Sequence, residues 1–249
     1  MNILITNDDG IHSQGLSVLK AALSSIARVM MIAPDRERSA TGHSLTLTHP
    51  VRVEEIGEDM FVTDGTPADC VNIGIMGLLS IKPDMIVSGI NPAPNLGDDV
   101  TYSGTVAAAM EGTLLGIPSF AVSINGSNNL CLESAGMAAV KIAQLIEKHG
   151  LPEGTFLNVN VPNLSSEQIN GMVITRQGKR AYREELLKRV DPRGKIYYWI
   201  GSKGVIDQQE QGTDVNAISE NMISITPLHL DLTDYRAMQY LENWVKESS

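Results

Sequence analysis

The sequence predicts an α/β fold built on a mostly parallel sheet. Short runs of consecutive apolar residues alternate with stretches of helical periodicity, and the first strand–helix–strand unit is complete by residue 33, which suits a right-handed crossover. The apolar runs lack polar alternation, which is typical of strands covered on both faces. Because 249 residues fit one large domain, we expect a single unit over residues 1–249.

Composition narrows the functional classes. The net charge is −10 at neutral pH, which disfavours binding to duplex nucleic acid or to an anionic membrane. The two cysteines, Cys70 and Cys131, have no metal-site spacing and are expected to be small buried residues in helices. No apolar run reaches ~18 residues and no charged-then-apolar leader opens the sequence. We therefore expect a cytoplasmic location.

Local patterns predict the elements of the first half. Apolar residues recur at helical spacing over residues 14–27, which predicts a helix. Thr66 followed by Pro67, with Asp69 at the third helical position, predicts a second helix that runs to about Leu79, in which Asp69 caps the helix rather than taking part in catalysis. The predicted strands are 3–5, 29–33, 51–56, 60–63 and 85–87.

The next elements continue the same alternation. Ser103 opens an alanine-rich helix over residues 106–115, which Gly116 and Pro118 end. A helix over 132–149 is closed by Gly150. Further strands are predicted at 120–124, 156–161, 172–176 and 223–227, and a terminal helix at 235–245.

The region after Gly171 has a different character. Residues 176–203 hold much of the cationic charge. The alternating pattern of residues 196–200, together with the breaks at Gly194 and Gly201, indicates a hairpin. A long aromatic hairpin is not expected to be stable alone. We therefore expect an arm that packs on a partner subunit, so that residues from about 176 to 249 serve oligomerisation.

The first strand ends in two adjacent carboxylates, Asp8 and Asp9, followed by Gly10. In a turn loosened by Gly10 both can reach one centre, where two charges ~4 Å apart repel by roughly 4 kcal/mol at an effective dielectric of 20. A shared proton, a basic partner or a cation must offset this repulsion. No Lys or Arg is near in sequence, which favours a hard divalent cation. The alternative is a helix N-cap, which needs no metal.

Two further loops leave strands at the same edge of the sheet, where open α/β sheets bind ligands. Residues 34–49 carry Ser39 with Arg36 and Arg38, and residues 88–99 carry Asn91 and Asn95. Hydroxyl and amide oxygens can bind a metal, and the amide donors can bind a phosphate. The alternatives are a solvated loop for the first set and turn residues for the second.

The start of the alanine-rich helix, at Ser103, Gly104 and Thr105, is a candidate anion site because helix N-termini present free N–H groups. All the candidate ligands are oxygen donors and no His/Cys cluster is present, which favours Mg²⁺ or Mn²⁺ over zinc. A cation beside an anion site is the minimum that a protein needs to transfer a phosphoryl group to water. The sequence has neither a P-loop nor a G-x-G-x-x-G motif.

Several motifs in matching order resemble the survival protein SurE nucleotidases, nearly end to end. They are residues 7–10 (NDDG), 33–39 (APDRERS), 65–70 (GTPADC), 88–91 (SGIN), 94–99 (PNLGDD), 102–112 (YSGTVAAAMEG) and 224–228 (SITPL). The resemblance implies a metal-dependent 5′/3′-nucleotidase that releases phosphate from nucleoside monophosphates and also trims short polyphosphate. It further implies a three-layer αβα, Rossmann-like core with a protruding hairpin arm and a C-terminal helix exchanged in a homodimer or tetramer.

Carried over by position, the resemblance assigns roles to individual residues. One divalent ion per subunit, Mg²⁺ or Mn²⁺, would be bound by Asp8, Asp9, Ser39 and Asn91. Asn95, Ser103, Gly104 and Thr105 would contact the phosphate. The sequence departs from the family at Pro92-Ala93, where a residue followed by Gly is usual, and this restricts the loop that carries Asn95.

The sequence leaves the mechanism and two other functional classes open. Either Asp8 or Asp9 orients or deprotonates an attacking water, or one of them attacks the phosphate directly and forms an aspartyl phosphate. A signalling receiver also has an acid pair after its first strand, but the predicted third parallel strand ends in Ser88 and Gly89 where a receiver needs its phosphoacceptor Asp. A non-catalytic nucleotide sensor could use the same pocket.

Overall fold

The computed structural model describes residues 1–126 and 128–247, with side chains described except at residues 181–184, 202–206 and 247. The strands are β1 (Asn2–Thr6), β2 (Arg28–Pro34), β3 (Val53–Gly57), β4 (Met60–Thr63), β5 (Met85–Asn91), β6 (Ser119–Asn125), β7 (Thr155–Pro162), β8 (Met172–Ile174), β9 (Arg180–Val190), β10 (Ile196–Asp207) and β11 (Ile223–His229). The helices are α1 (Gln14–Leu23), α2 (Pro67–Ile73), α3 (Gly104–Leu114), α4 (Leu132–His149), α5 (Asp214–Ser219) and α6 (Tyr235–Glu247).

One mostly parallel sheet forms the core, as predicted. Its strand order is β3-β4-β2-β1-β5-β6-β7-β11-β8. The pairs β3–β4 and β7–β11 are antiparallel, and every other neighbouring pair in this sheet is parallel. Strand β1 lies between β2 and β5, so the carboxyl ends of β1, β2 and β5 meet at one edge.

The sheet is covered by helices on both faces. Side chains alternate along β1: Ile3 and Ile5 enter a core cluster with α1 and α4, whereas Leu4 enters a second cluster with residues of α2 and α3. Ile3, Leu4 and Ile5 are all fully buried, which explains why this run of β1 is apolar without alternation. The α/β prediction with three layers is therefore confirmed.

Several boundaries differ from the sequence prediction. Helix α1 ends at Leu23 rather than 27, and β5 extends to Asn91, so residues 88–91 belong to the strand rather than to the loop after it. The helix that starts after Thr66 ends at Ile73 and continues as a π-helical segment, Gly74–Leu78, within which Gly77 has non-helical angles. Cys131 immediately precedes α4 instead of lying within it.

Beyond the core, β9 and β10 form a separate antiparallel hairpin, which we call the arm. Its apolar side chains are largely exposed, including those of Leu186, Tyr198, Trp199 and Ile200. Of the predicted cations of this region, the side chains of Arg183 and Lys203 lie outside the described residues. Among the described residues, no helix is long and apolar enough to cross a membrane.

Candidate active site at the carboxyl edge of the sheet

Asn7 shapes the turn that presents the two carboxylates. Its side-chain oxygen accepts from the backbone N–H of Gly10 at 3.2 Å, and its Nδ2 donates to the Gly10 carbonyl at 3.1 Å and to Ser13 Oγ at 2.7 Å. Ser13 in turn caps α1. Gly10 has φ +97°, a conformation that glycine adopts without strain. The turn is therefore rigid, and it directs Asp8 and Asp9 away from the strand end.

Asp8 is held against the start of α3. It is 6% exposed, and Thr105 Oγ1 donates to its Oδ1 at 2.5 Å. A Cβ on Gly104 would lie 2.9 Å from the Asp8 Cβ, so a side chain at position 104 would push Asp8 away. The helix N-terminus that was expected to bind an anion thus has the Asp8 carboxylate beside it.

Burial raises the pKa of both carboxyl groups. For Asp8, desolvation outweighs the opposing hydrogen bond from Thr105. For Asp9, desolvation, then the neighbouring charge of Asp8, and then that of Glu37 raise the pKa to about 7. Asp9 Oδ2 is buried and has no hydrogen-bond partner among the described residues. Among the described residues no cationic side chain acts on either carboxyl group, so a proton or a cation must offset their repulsion.

A cavity of about 430 Å³ opens over this pair. It is lined by residues from each of the predicted edge loops: Asp8, Asp9, Glu37, Ser39, Ala40, Asn91, Pro92, Ala93, Pro94, Asn95, Asp99, Tyr102 and Ser103. The structure thus brings together Asp8, Asp9, Ser39, Asn91, Asn95 and Ser103 in one pocket. Gly104 and Thr105 do not line it and instead contact Asp8 from behind.

Three other polar side chains of the pocket have protein partners of their own. Ser39 Oγ donates to Glu37 Oε1 at 2.6 Å, and Asn91 Nδ2 donates to the Ala93 carbonyl at 2.6 Å. These bonds use donors, so the Asn91 side-chain oxygen keeps its capacity to bind a cation. Asn95 Nδ2 donates to Ser123 Oγ at 2.8 Å.

The charged side chains of Arg36, Arg38 and Asp69 form bonds outside the cavity. Arg36 pairs with Asp35 at 2.6 Å, and Arg38 donates to the Asp64 carbonyl. Asp69 forms the predicted capping box with Thr66. None of these side chains lines the cavity.

His43 contacts a buried carboxylate on α3. Its Nε2 lies 2.5 Å from Glu111 Oε2, and Asn72 Nδ2 donates to Glu111 Oε1 at 2.5 Å. Glu111 is 5% exposed. The bond fastens the loop that carries Ser39 to α3, a role that sequence patterns did not signal.

The donor set fits a hard divalent cation. The described residues contain no group of three or more His, Cys, Asp or Glu side chains arranged to hold a metal, which disfavours a zinc-type site. The four candidate ligands in the cavity lining, Asp8, Asp9, Ser39 and Asn91, offer two carboxylates, a hydroxyl and an amide oxygen. These are the oxygen ligands that Mg²⁺ and Mn²⁺ take. The unpartnered Asp9 Oδ2 gives such a cation a point of attachment.

Comparisons with known proteins agree with this architecture. The family model "Survival protein SurE" matches residues 3–184. Proteins named 5'-nucleotidase SurE from Geotalea uraniireducens and Geobacter sulfurreducens are 54% and 52% identical, over 98% of this chain and over 99% and 94% of their own lengths. The crystal structure of the SurE protein from Aquifex aeolicus matches with a TM-score of 0.87 and 49% identity, over 97% of this chain and all of that one. The chain belongs to the SurE family.

Proposed function

We propose that this protein is a metal-dependent phosphomonoesterase, a 5′-nucleotidase that also accepts 3′-monophosphates and converts nucleoside monophosphates to nucleoside and phosphate. The observation that carries the proposal is the pair of buried Asp8 and partly buried Asp9, for which the described residues provide no cationic partner, in a cavity whose other polar side chains are oxygen and amide groups. Relatives about half identical over nearly the whole chain bear the name 5'-nucleotidase SurE, which supports the reaction class.

One Mg²⁺ or Mn²⁺ per subunit would be held by Asp8, Asp9, Ser39 and Asn91. When bound, such an ion neutralises phosphate charge and acidifies water. Its doubly positive charge would also offset the repulsion between Asp8 and Asp9, for which the described residues provide no cationic side chain.

The protein's own groups divide the remaining work. Asp9, whose Oδ2 has no hydrogen-bond partner in the described part of the chain, orients a water for in-line attack and accepts its proton. Asp8 is kept in place by Thr105. Ser103 and Asn95, which line the cavity, contact the phosphate oxygens, and the N-terminal end of α3, with Gly104 and Thr105, favours negative charge there.

The acid pair is also compatible with direct attack by a carboxylate, giving an aspartyl phosphate. Single-turnover hydrolysis in H₂¹⁸O, combined with hydroxylamine trapping, separates the two routes. Attack by water places the label in the released phosphate and leaves the protein unlabelled, whereas hydrolysis of an aspartyl phosphate at phosphorus also labels phosphate; trapping of the acyl phosphate by hydroxylamine then identifies the second route.

We further propose that the arm and α6 join subunits into a dimer or tetramer. Apolar and aromatic side chains on both elements are more than 40% exposed, including Trp199, Trp244 and Tyr198, and such a surface is typical of an interface between subunits. Short polyphosphate is a second proposed substrate because it presents the same terminal phosphate. A cytoplasmic location fits a substrate that is an intracellular metabolite.

Phosphate release tests the function directly. Purified protein is incubated with a panel of nucleoside 5′- and 3′-monophosphates and with polyphosphate, with Mg²⁺ or Mn²⁺ and with chelator. We expect turnover that requires the metal and that Asp9→Asn abolishes, whereas Asp98→Asn, an exposed acid outside the cavity lining, retains it. Nucleotide binding without turnover under either metal would instead identify a sensor.

A further inference from the structure

The segment from residue 92 to residue 99, which we call the pocket loop, is held in place by a carboxylate far along the chain. Asp214, at the start of α5, is fully buried. Its Oδ2 accepts from the backbone N–H of Gly97 at 2.8 Å. Its Oδ1 accepts from the N–H groups of Gly178 at 2.7 Å and of Val215 at 2.8 Å. One side chain thus joins the pocket loop, the segment entering the arm, and α5.

Other contacts strengthen this junction. Leu96 is 2% exposed and packs with Val215 and Ile218 of α5. Gln177 Nε2 donates to the Gly97 carbonyl at 3.1 Å, so both backbone groups of Gly97 are engaged. The second half of the pocket loop therefore packs against α5.

The first half of the loop is fixed from the sheet. The Asn95 backbone N–H donates to Asn160 Oδ1 at 2.9 Å, and its carbonyl accepts from the side chains of Asn158 and Asn160 at 2.8 and 2.9 Å. Asn95 and Pro94 both line the cavity above the carboxylate pair. Displacement of Gly97 would reach the pocket through only two residues, Leu96 and Asn95.

Capping of α5 does not explain Asp214. Thr213 is the N-cap, and its Oγ1 accepts from the Asn216 N–H at 3.2 Å. Two of the three donors that reach Asp214 belong to other segments. A carboxylate has only acceptor sites, so it can take all three N–H groups, whereas an amide cannot.

We propose that Asp214 is a positioning residue that sets the substrate-binding geometry of the pocket loop by fastening Gly97 to the entry of the arm. This inference rests on the proposed function, since it assigns substrate contact to the pocket loop. Arg180 reinforces the same junction: it lies at the base of the arm and donates to Asp99 Oδ2 at 2.6 Å and to Asp207 Oδ1 at 2.8 Å. Asp99 itself lines the cavity.

The test is Asp214→Asn, which keeps the shape of the side chain but places an NH₂ group against at least one backbone N–H. We expect KM for a nucleoside monophosphate to rise about tenfold, the scale of one lost buried hydrogen bond, with a smaller change in kcat. Mn²⁺ affinity, measured by calorimetry, should stay near that of the wild type because Asp8 and Asp9 are untouched. Hydrogen exchange in peptides covering 94–99 should accelerate.

Thr213→Ala is the matched control, because it removes the α5 cap, a loss of comparable stability, without touching Gly97. It should leave KM unchanged. Equal KM changes in the two variants, or a wild-type KM and exchange rate in Asp214→Asn, would overturn the proposal. If Asp214→Asn does not yield folded protein, Gln177→Ala decides, since it frees the Gly97 carbonyl from an exposed side chain. Faster exchange at Gly97 together with an unchanged KM in that variant would show that the position of Gly97 does not set KM, and would refute the proposal.

Failure of the two proposals can be told apart. If the wild-type protein releases no phosphate with any metal, the proposed function is wrong. Hydrogen exchange of the pocket loop in the metal-free protein still measures the junction itself, and protection that Asp214→Asn leaves intact would refute the role of Asp214.

Discussion

Replacement of Asp9 by Asn should stabilise the metal-free protein while it abolishes activity. In the folded state burial, Asp8 and Glu37 raise the pKa of Asp9 to about 7, from an ordinary value of 3.8. Between these values the unfolded chain ionises Asp9 and the folded chain keeps the proton. Stability should therefore fall as the pH rises from about 4 to about 7 and then level off.

The magnitude follows from the size of the pKa change. A pKa shift of one unit corresponds to about 1.4 kcal/mol, so the upper bound on the stability lost at pH 8 is about 4 kcal/mol. Asp9 is only partly buried, and solvent screening reduces this to roughly 2 kcal/mol. Asn carries no charge at any pH, so Asp9→Asn should recover that amount. For a chain of this length roughly 2 kcal/mol corresponds to about 4–8 °C in Tm.

The assay is thermal unfolding at pH 4 and pH 8, with chelator and with Mn²⁺. In chelator, Asp9→Asn should exceed the wild type at pH 8 and match it at pH 4. With Mn²⁺ at about 100 times its Kd, the wild type should gain about 2.7 kcal/mol and the variant much less. A variant that is less stable than the wild type in chelator at pH 8, or an equal gain in the exposed control Asp98→Asn, would refute the reasoning.

Three further expectations concern the surroundings of the site. Thr105→Val keeps the shape of the side chain but removes the donor to buried Asp8. We expect the free energy of unfolding in urea with chelator to fall by about 1–3 kcal/mol, and Mn²⁺ binding by calorimetry to weaken. The control Thr113→Val loses only a bond to the Ala109 carbonyl on the same helix and should leave Mn²⁺ binding intact. His43→Ala removes a partner of buried Glu111 and should lower stability by about 1–3 kcal/mol. His43→Gln should recover part of that loss, and the exposed control His49→Ala should have no effect. An equal Tm in His43→Ala and the wild type would contradict the role of His43 in joining the Ser39 loop to α3. Trp199→Ser and Trp244→Ser should weaken subunit association in sedimentation equilibrium without changing the far-UV circular dichroism, and unchanged association would remove the arm and α6 from the interface.

Elements with a strong local signal were predictable from the sequence. The apolar runs of β1 and β2, the periodicity of α4 and the capping box at Thr66 and Asp69 are set by neighbours within a few residues, and the structure confirms them. Helix α5 was missed because six residues are too few to show a helical period.

The pocket was predictable in outline because parallel strands end at one edge, which brings loops distant in sequence together. Ser39, Asn91 and Asn95 line the same cavity as the acid pair for this reason. Contacts between single side chains were not predictable. Thr105 bonds to Asp8 across 97 positions, and Asp214 to Gly97 across 117, and no local pattern specifies either pairing. The pair between Asp99 and Arg180 likewise joins residues 81 positions apart.

The two carboxylates at the end of β1 are not equivalent, and this difference suits a site that must exist before its ligand arrives. Asp8 has a hydroxyl partner and lies beside the start of α3, so its position is defined by the protein alone. Asp9 has a buried oxygen for which the described residues provide no partner, so the proposed cation would supply the interaction that it lacks. A site in which both acids were satisfied internally would gain little from a metal, and one in which neither was satisfied would not hold its geometry. Because one acid is anchored and the other is not, the free energy left unrealised in the folded chain would become available as binding energy for the proposed cation and, through it, for the phosphate.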